Sequence, residues 1–107
     1  MKTFNQIDRK DIGSIWAAID WDDNRRLYLS VKDLSGILEL SEEYLKEKCS
    51  SGSFSDSYGI TFIKTELLIN NFLKEETSEI NSRMCNWLEY DILPSIRVMN
   101  YGMFIKL

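Results

Sequence analysis

The feature that most restricts the fold of this chain is that two hydrophobic periods occur within its 107 residues. In RRLYLSV, residues 25–31, apolar and polar side chains alternate, as they do in a strand that buries one face. In residues 78–92, apolar side chains recur at the spacing of one face of a helix. Both periods in one short chain predict an α+β domain, with a small, mainly antiparallel sheet packed with three or four helices.

The segment that precedes this strand has an ambiguous pattern. Ile12, Ile15, Trp16 and Ile19 would share one face of a helix, yet the same run is compatible with a strand. The polar sequence DWDDN, residues 20–24, then indicates a turn. The sequence therefore allows either strand–turn–strand or helix–loop–strand.

Polar residues mark where the later helices begin. An apolar stripe over residues 31–38 predicts the first helix, and Ser41 is the predicted N-cap of the second. Thr65 is the predicted N-cap of a third helix, TELLINNFLKEE, and a last helix begins near Ser78. Pro94 ends or kinks that last helix, because proline lacks a backbone donor and clashes with the preceding turn.

The whole chain, residues 1–107, is predicted to form one domain, since its length and 44% hydrophobic content suit a single core. Residues 1–11 are polar and mixed in charge and form an N-terminal segment. Residues 50–59, SSGSFSDSYG, form an internal loop with only Phe54 and Tyr58 to anchor it. The following ITFIK indicates a short strand.

The composition narrows the cellular setting and the chemistry. No apolar run approaches the roughly 20 residues that span a bilayer, and the N-terminus lacks the apolar region of a secretory signal, so a cytoplasmic protein without membrane contact is expected. Cys49 and Cys85 are expected to be two reduced, half-buried thiols. Histidine is absent, which removes the commonest general base and zinc ligand. We expect no enzyme, no cofactor and no metal.

The turn DWDDN carries part of the ligand pattern of a calcium-binding loop. Asp20, Asp22 and Asn24 stand where oxygen ligands one, three and five would be. Arg25 replaces the required glycine and Val31 replaces the bidentate glutamate. A solvated turn is the preferred interpretation.

Residues 30–49 have the outline of a helix-turn-helix unit, whose second helix would enter the major groove of DNA with its first residues. Those residues are Ser41, Glu42, Glu43 and Tyr44, so two carboxylates would face the phosphates. The formal net charge of the chain is −4. Charge therefore favours a protein partner with a basic surface, and DNA binding by this unit is the alternative.

Seven residues are candidates for contact with a partner. The acidic helix offers the carboxylates, Trp21 lies in the acidic turn as a candidate exposed indole, and two adjacent arginines carry the most concentrated positive charge of the chain. Pairing of the arginines with Asp22 and Asp23 is the alternative interpretation. The candidates are Glu39, Glu42, Glu43, Glu47, Trp21, Arg25 and Arg26.

The C-terminal part resembles the N-terminal domain of the Bro family, which is also the antirepressor domain of many bacteriophages and large DNA viruses. That family ends in a tryptophan helix that runs into Leu-Pro-Ser-Ile-Arg and a glycine turn. LYLSVKDLSGIL and ITFIKTELLINNFL are similar to its strand-then-helix segments, and Glu39 stands where the family usually has a glycine. The matching residues are Trp87, Leu93, Pro94, Ser95, Ile96, Arg97 and Gly102.

The resemblance implies a small phage or mobile-element regulator that acts by binding another protein. It would be an antirepressor. The excess of negative charge adds the alternative of an inhibitor of a host nucleic-acid-binding defence complex, such as an anti-CRISPR protein. On physical grounds, Pro94 would stop the last helix so that residues 95–97 turn and return to the core. Arg97 is then expected to anchor the helix end by capping carbonyl groups or meeting an acid.

Overall fold

The computed structural model describes residues 1–98 of the chain. A five-stranded antiparallel sheet and four continuous helical segments make up this part, which confirms the predicted α+β class. The strands are β1 (Lys2–Arg9), β2 (Gly13–Asp20), β3 (Arg26–Ser30), β4 (Phe54–Ser55) and β5 (Thr61–Lys64). The helices are α1 (Val31–Leu38), α2 (Glu42–Lys48), α3 (Thr65–Leu68), α4 (Glu79–Asn86) and α5 (Leu93–Val98), with π-helical turns Ile69–Leu73 after α3 and Trp87–Ile92 between α4 and α5.

The strands lie in the order β1-β2-β3-β5-β4, and each neighbouring pair is antiparallel. β1 is the edge strand and pairs along its whole length with β2. The sequence pattern assigned residues 1–11 only to a polar N-terminal segment, so it missed this strand. The reason is that an edge strand buries little, and Ile7 is the one fully buried residue of β1.

β2 resolves the ambiguous segment in favour of strand–turn–strand. Ile15, Ala17 and Ile19 alternate and are fully buried under the helices. Trp16 points to the other face, where 44% of its surface is exposed. The helical interpretation is wrong, because it placed Trp16 on the same face as the isoleucines.

The sheet buries residues on both faces. Its helix face packs against Leu34, Leu45, Leu68 and Leu88 in the main core. Each fully buried side chain of this size stabilises the fold by about 1.5–3 kcal/mol. The opposite face, called here the open face, carries a second, smaller cluster. Its members are Ala18, Tyr28 and Phe62, with Phe54 and Ile60 packed against them.

The sheet curls toward its open face. The rings of Phe4 and Phe62 lie 5.4 Å apart, although β2 and β3 separate their strands in the sheet. Neighbouring strands are about 4.8 Å apart, so rings on a flat sheet at these positions would not meet. The open face is therefore concave, and aromatic rings fill its centre.

Two predicted helix starts are confirmed and one is displaced. Ser41 accepts a hydrogen bond from Tyr44 N–H at 3.1 Å, and Ser78 accepts one from Asn81 N–H at 3.1 Å. Thr65, however, is not an N-cap, since it is the first residue of α3 and Lys64 has the cap position. The strand β5 runs directly into α3, so its last residue supplies the extended backbone of a cap.

The loop predicted at residues 50–59 contains the two-residue strand β4. Phe54 anchors it, because its ring stacks on Phe62 with centroids 5.3 Å apart. Tyr58 does not anchor the loop, since 88% of its surface is exposed. The small polar residues of this segment do not indicate a strand, because β4 forms only where Phe54 stacks on Phe62 of β5.

Pro94 does not end the last helix, so the first of the two alternatives that the sequence allowed is wrong. The helix continues from α4 through the π-helical turn into α5, and Pro94 is the second residue of α5. A π-helical turn widens the backbone just before the proline, where an α-helical turn would clash with its ring. Ser95 Oγ donates to the carbonyl of Asp91 at 2.6 Å, which satisfies one acceptor beside the interruption.

The expected return of residues 95–97 to the core is likewise wrong, because they remain helical. Ile96 is buried, whereas Arg97 is exposed. Gly102, the last residue of the resemblance, lies outside the described residues.

We predict that Glu39→Gly stabilises the fold. Glu39 ends α1 in the left-handed conformation, with φ 55° and ψ 47°. A side chain strains this conformation, whereas glycine adopts it freely, so the free energy of unfolding should rise by about 0.5–1 kcal/mol in chemical denaturation. Glu39→Gln is the matched control, because it removes the charge and keeps the strain. Equal stability of the two variants would contradict the prediction.

Candidate partner-binding surfaces

Four of the predicted contact residues lie together on the α1–α2 pair. Ser41 is the N-cap of α2. Leu45 and Cys49 are buried on the side of this helix that faces the core. Helical spacing then places Glu43 and Glu47 on the outer side, where both are exposed. Glu39 is exposed at the end of α1 and Glu42 is half-buried. The acidic surface denotes these residues: Glu39, Glu42, Glu43 and Glu47.

The carboxylates of the acidic surface accept no hydrogen bond and form no ion pair within residues 1–98. Most other acidic side chains do have partners in the same part of the chain. The ion pairs are Asp20 and Asp22 with the ammonium group of Met1, Asp11 with Arg9, Asp23 and Glu66 with Arg26, Glu75 with Lys48, Glu79 with Arg83, and Glu89 with Lys74. Unpaired negative charge is therefore concentrated at the α1–α2 turn, where the dipole of α2 favours the first-turn glutamates.

The helix-turn-helix outline is present, since α1 and α2 are joined by a short turn. Tyr44, at a predicted base-reading position, instead faces the protein. Its ring packs edge-on against Phe72 with centroids 6.1 Å apart, and its hydroxyl donates to Glu76 at 3.2 Å. The leading end of α2 thus offers mainly carboxylates, which repel phosphates.

The remaining three candidates make contacts within the protein. Trp21 and Arg25 lie in the turn between β2 and β3, and Arg26 is the first residue of β3. Trp21 is half-buried, and its indole N–H donates to Thr3 Oγ1 at 2.8 Å. The Arg26 guanidinium pairs with Asp23 at 3.0 Å and also with Glu66. The pairing with Asp23 is the alternative that the sequence left open.

Arg25 donates hydrogen bonds to backbone carbonyls in the last turn of α5. Its Nη1 donates to the carbonyls of Arg97 at 2.9 Å and Ile96 at 3.3 Å, and its guanidinium lies 5.7 Å from the Trp21 ring centroid. The sequence assigned the anchoring role to the side chain of Arg97. The donor comes instead from a turn more than seventy positions earlier in the chain.

The turn itself does not resemble a calcium site. Arg26 N–H donates to Asp23 O at 3.0 Å, and Asn24 and Arg25 both have positive φ, which is the pattern of a type I′ turn. Asp20 Oδ1 already accepts a hydrogen bond from Asp22 N–H at 3.2 Å. Across the described residues, no group of three or more His, Cys, Asp or Glu side chains is placed to hold a metal ion.

A second surface, which the sequence reasoning missed, lies on the open face. A groove of about 410 Å³ is bordered by the exposed rings of Phe4 (46%), Trp16 and Tyr58. The aromatic groove denotes the residues that line it: Phe4, Trp16, Asp56, Ser57, Tyr58, Ile60 and Phe62. The exposed indole of the chain is thus Trp16, whereas the sequence pointed to Trp21.

One sequence signal for this surface existed. In β2, Trp16 alternates with the buried Ile15 and Ala17, which would have placed it opposite the core in a strand. The ambiguity between helix and strand concealed that signal. Phe4 gave none, because residues 1–11 were not predicted to pair with β2 as a strand. Tyr58 gave none, because it lies in a loop without a periodic pattern.

Both cysteines are free thiols, Cys49 fully buried and Cys85 half-buried. Burial raises the pKa of Cys49 to about 11. Burial, together with a hydrogen bond from Cys85 Sγ to Glu89 at 3.0 Å, raises the pKa of Cys85 to about 11. A reactive nucleophile needs a lowered thiol pKa, so neither site has that character.

Comparison with protein-family models, curated proteins and solved structures found no match to this chain. No helix within residues 1–98 is long and apolar enough to cross a membrane.

We predict that Arg25→Ala lowers the free energy of unfolding by about 1 kcal/mol, because two carbonyls at the helix end lose a charged donor. Chemical denaturation measures the change. Arg97→Ala is the matched control, since the Arg97 guanidinium makes no hydrogen bond within residues 1–98, and we expect less than about 0.5 kcal/mol for it. A larger effect of Arg97→Ala than of Arg25→Ala would contradict the assignment.

We predict that Glu89→Gln speeds alkylation of Cys85 by iodoacetamide several-fold at pH 8. Removing the carboxylate lowers the pKa of the neighbouring thiol, so a larger fraction is thiolate. Peptide-resolved mass spectrometry measures both thiols at once. Cys49 is the internal control, and an equal acceleration at both cysteines would indicate loosening of the fold instead.

Proposed function

We propose that this chain is a small, non-enzymatic regulatory protein that acts by binding a protein partner with a basic surface. The observation that carries the proposal is the concentration of unpaired carboxylates on the acidic surface. Opposite charge on a partner would satisfy these groups and accelerate the encounter.

The favoured partner is a protein that normally binds nucleic acid. Such proteins present lysine and arginine side chains where phosphates lie, and a row of carboxylates would occupy those positions. Glu43 and Glu47 lie one helical turn apart on one side of α2 and offer such a row. The partner would then be a repressor or a host nucleic-acid-binding complex, as the resemblance at residues 93–97 suggests for a phage regulator.

A second candidate function is DNA binding by α1 and α2, which the short turn between two helices favours. It makes a different prediction, since affinity for DNA would fall steeply with added salt. The two carboxylates in the first turn of α2 oppose this function, so we rank it second.

We predict that Glu42→Lys/Glu43→Lys abolishes capture of the partner by the immobilised protein. The substitution reverses the charge that a basic surface would meet. Capture is measured from nuclease-treated bacterial lysate, and duplex DNA is then added to compete. The proposal expects a nuclease-resistant protein that the DNA displaces and that the variant no longer captures.

The matched control is Glu79→Lys, which also reverses an exposed first-turn glutamate, that of α4. Glu79→Lys has a similar cost to the helix dipole and also breaks the ion pair with Arg83. It is compared with the single variant Glu43→Lys, and equal losses of capture in the two would mean a general effect of charge. Capture of nucleic acid that is lost at high salt would favour the second function. A protein retained by Glu42→Lys/Glu43→Lys, or no captured protein, would overturn the proposal.

A further inference from the structure

We propose that the aromatic groove binds an arginine side chain of a peptide or protein partner. The groove lies on the open face, opposite the helix face on which α1 and α2 pack. The inference therefore does not rest on the acidic surface.

Three large aromatic rings border the groove. Much of their surface is exposed, and a bound ligand would cover it. Phe4 and Trp16 project from the paired strands β1 and β2, and Tyr58 projects from the loop before β5. Exposed Trp and Tyr side chains gathered in one groove are the residue types that most often anchor a partner. Tyr58 is free to close over a bound group, because it packs against little of the protein.

A carboxylate in the same groove selects the charge of the ligand. Asp56 Oδ1 accepts hydrogen bonds from Tyr58 N–H and Ile60 N–H, both at 2.9 Å. These bonds fix the loop that presents Tyr58. Asp56 Oδ2 makes no hydrogen bond to another residue of the described part. A cation in the groove would meet this oxygen.

At the neighbouring end of the open face, a lysine of the chain itself makes a cation–π contact with an aromatic ring. The ammonium group of Lys2 lies 4.4 Å from the ring centroid of Phe54. The stacked pair of Phe54 and Phe62 extends from that point to the aromatic groove, which Phe62 lines. Cation–π attraction is therefore an interaction that this face supports.

Arginine fits the groove better than lysine does. The planar guanidinium stacks on an indole while donating to a carboxylate at its edge, whereas an ammonium is a compact, strongly hydrated charge. Trp16 and Asp56 line the same groove and offer both partners of a guanidinium.

The test is an NMR titration of the protein with acetyl-Gly-Arg-Gly-amide, followed at the indole N–H signals. The Trp16 signal should shift with saturation, while those of Trp21 and Trp87, half-buried and buried, serve as internal controls. The same peptide with citrulline keeps the shape and removes the charge, and we expect it to bind about fivefold more weakly.

Two variants probe the groove separately. Asp56→Asn keeps an oxygen for the two backbone donors and removes the charge, so arginine should lose its advantage over citrulline. Glu79→Gln changes net charge equally at a distant site and should leave binding unchanged. Tyr58→Ala should weaken binding without unfolding the protein, because the ring is exposed.

Each remaining outcome overturns the inference. Equal binding of the citrulline peptide would indicate an apolar groove without charge selection. A thymidine oligonucleotide that shifts the Trp16 signal more strongly than the peptide does would indicate base stacking. An unshifted Trp16 signal would exclude an arginine site. None of these results bears on the acidic surface, since a short cationic peptide is not the proposed partner.

Discussion

Burial of both faces of the sheet is the constraint on which the rest of this structure depends. Ala17 and Ala18, neighbours in β2, are both fully buried, one under the helices and the other among aromatic rings. A strand in the middle of a two-layer domain usually buries one face and exposes the other to water. Here the second face supplies its own small core, and the sheet curls to close it.

That curl also creates the aromatic groove. Phe4 reaches Phe62 across two intervening strands, and the loop before β5 brings Tyr58 and Asp56 beside Trp16. The centre of the aromatic cluster is buried and stabilises the sheet, whereas its rim is exposed. Tyr28 and Phe62 at the centre are buried and pack the small core. The rings on the rim are therefore exposed and can contact a ligand.

Charge is distributed unevenly over the same framework. Several acids pair with basic groups inside the described chain, and Arg25 and Arg26 tie the β2–β3 turn to helices far away in sequence. The glutamates of the acidic surface have no such partner within residues 1–98. Arg25 and Arg26 thus bind within the protein, whereas the acidic surface keeps its negative charge unpaired within residues 1–98.

The sequence by itself determined the fold class, the strand at β3, and the helix starts at Ser41 and Ser78. These features depend on neighbouring residues, through alternation, helical spacing and a serine hydroxyl that caps the next turn. It also located the acidic surface, because Glu42, Glu43 and Glu47 follow the cap on one short helix.

Only the tertiary structure decided the features that join distant residues. β1 is a strand because β2 pairs with it, β4 is a strand because Phe54 stacks on Phe62, and the last helix continues past Pro94 because a π-helical turn absorbs the proline. Arg25, not Arg97, bonds the helix end, and Trp16, not Trp21, is the exposed indole. A local pattern specifies which side of an element is apolar, whereas the contact that each side finally makes is set by how the elements curl and pack together.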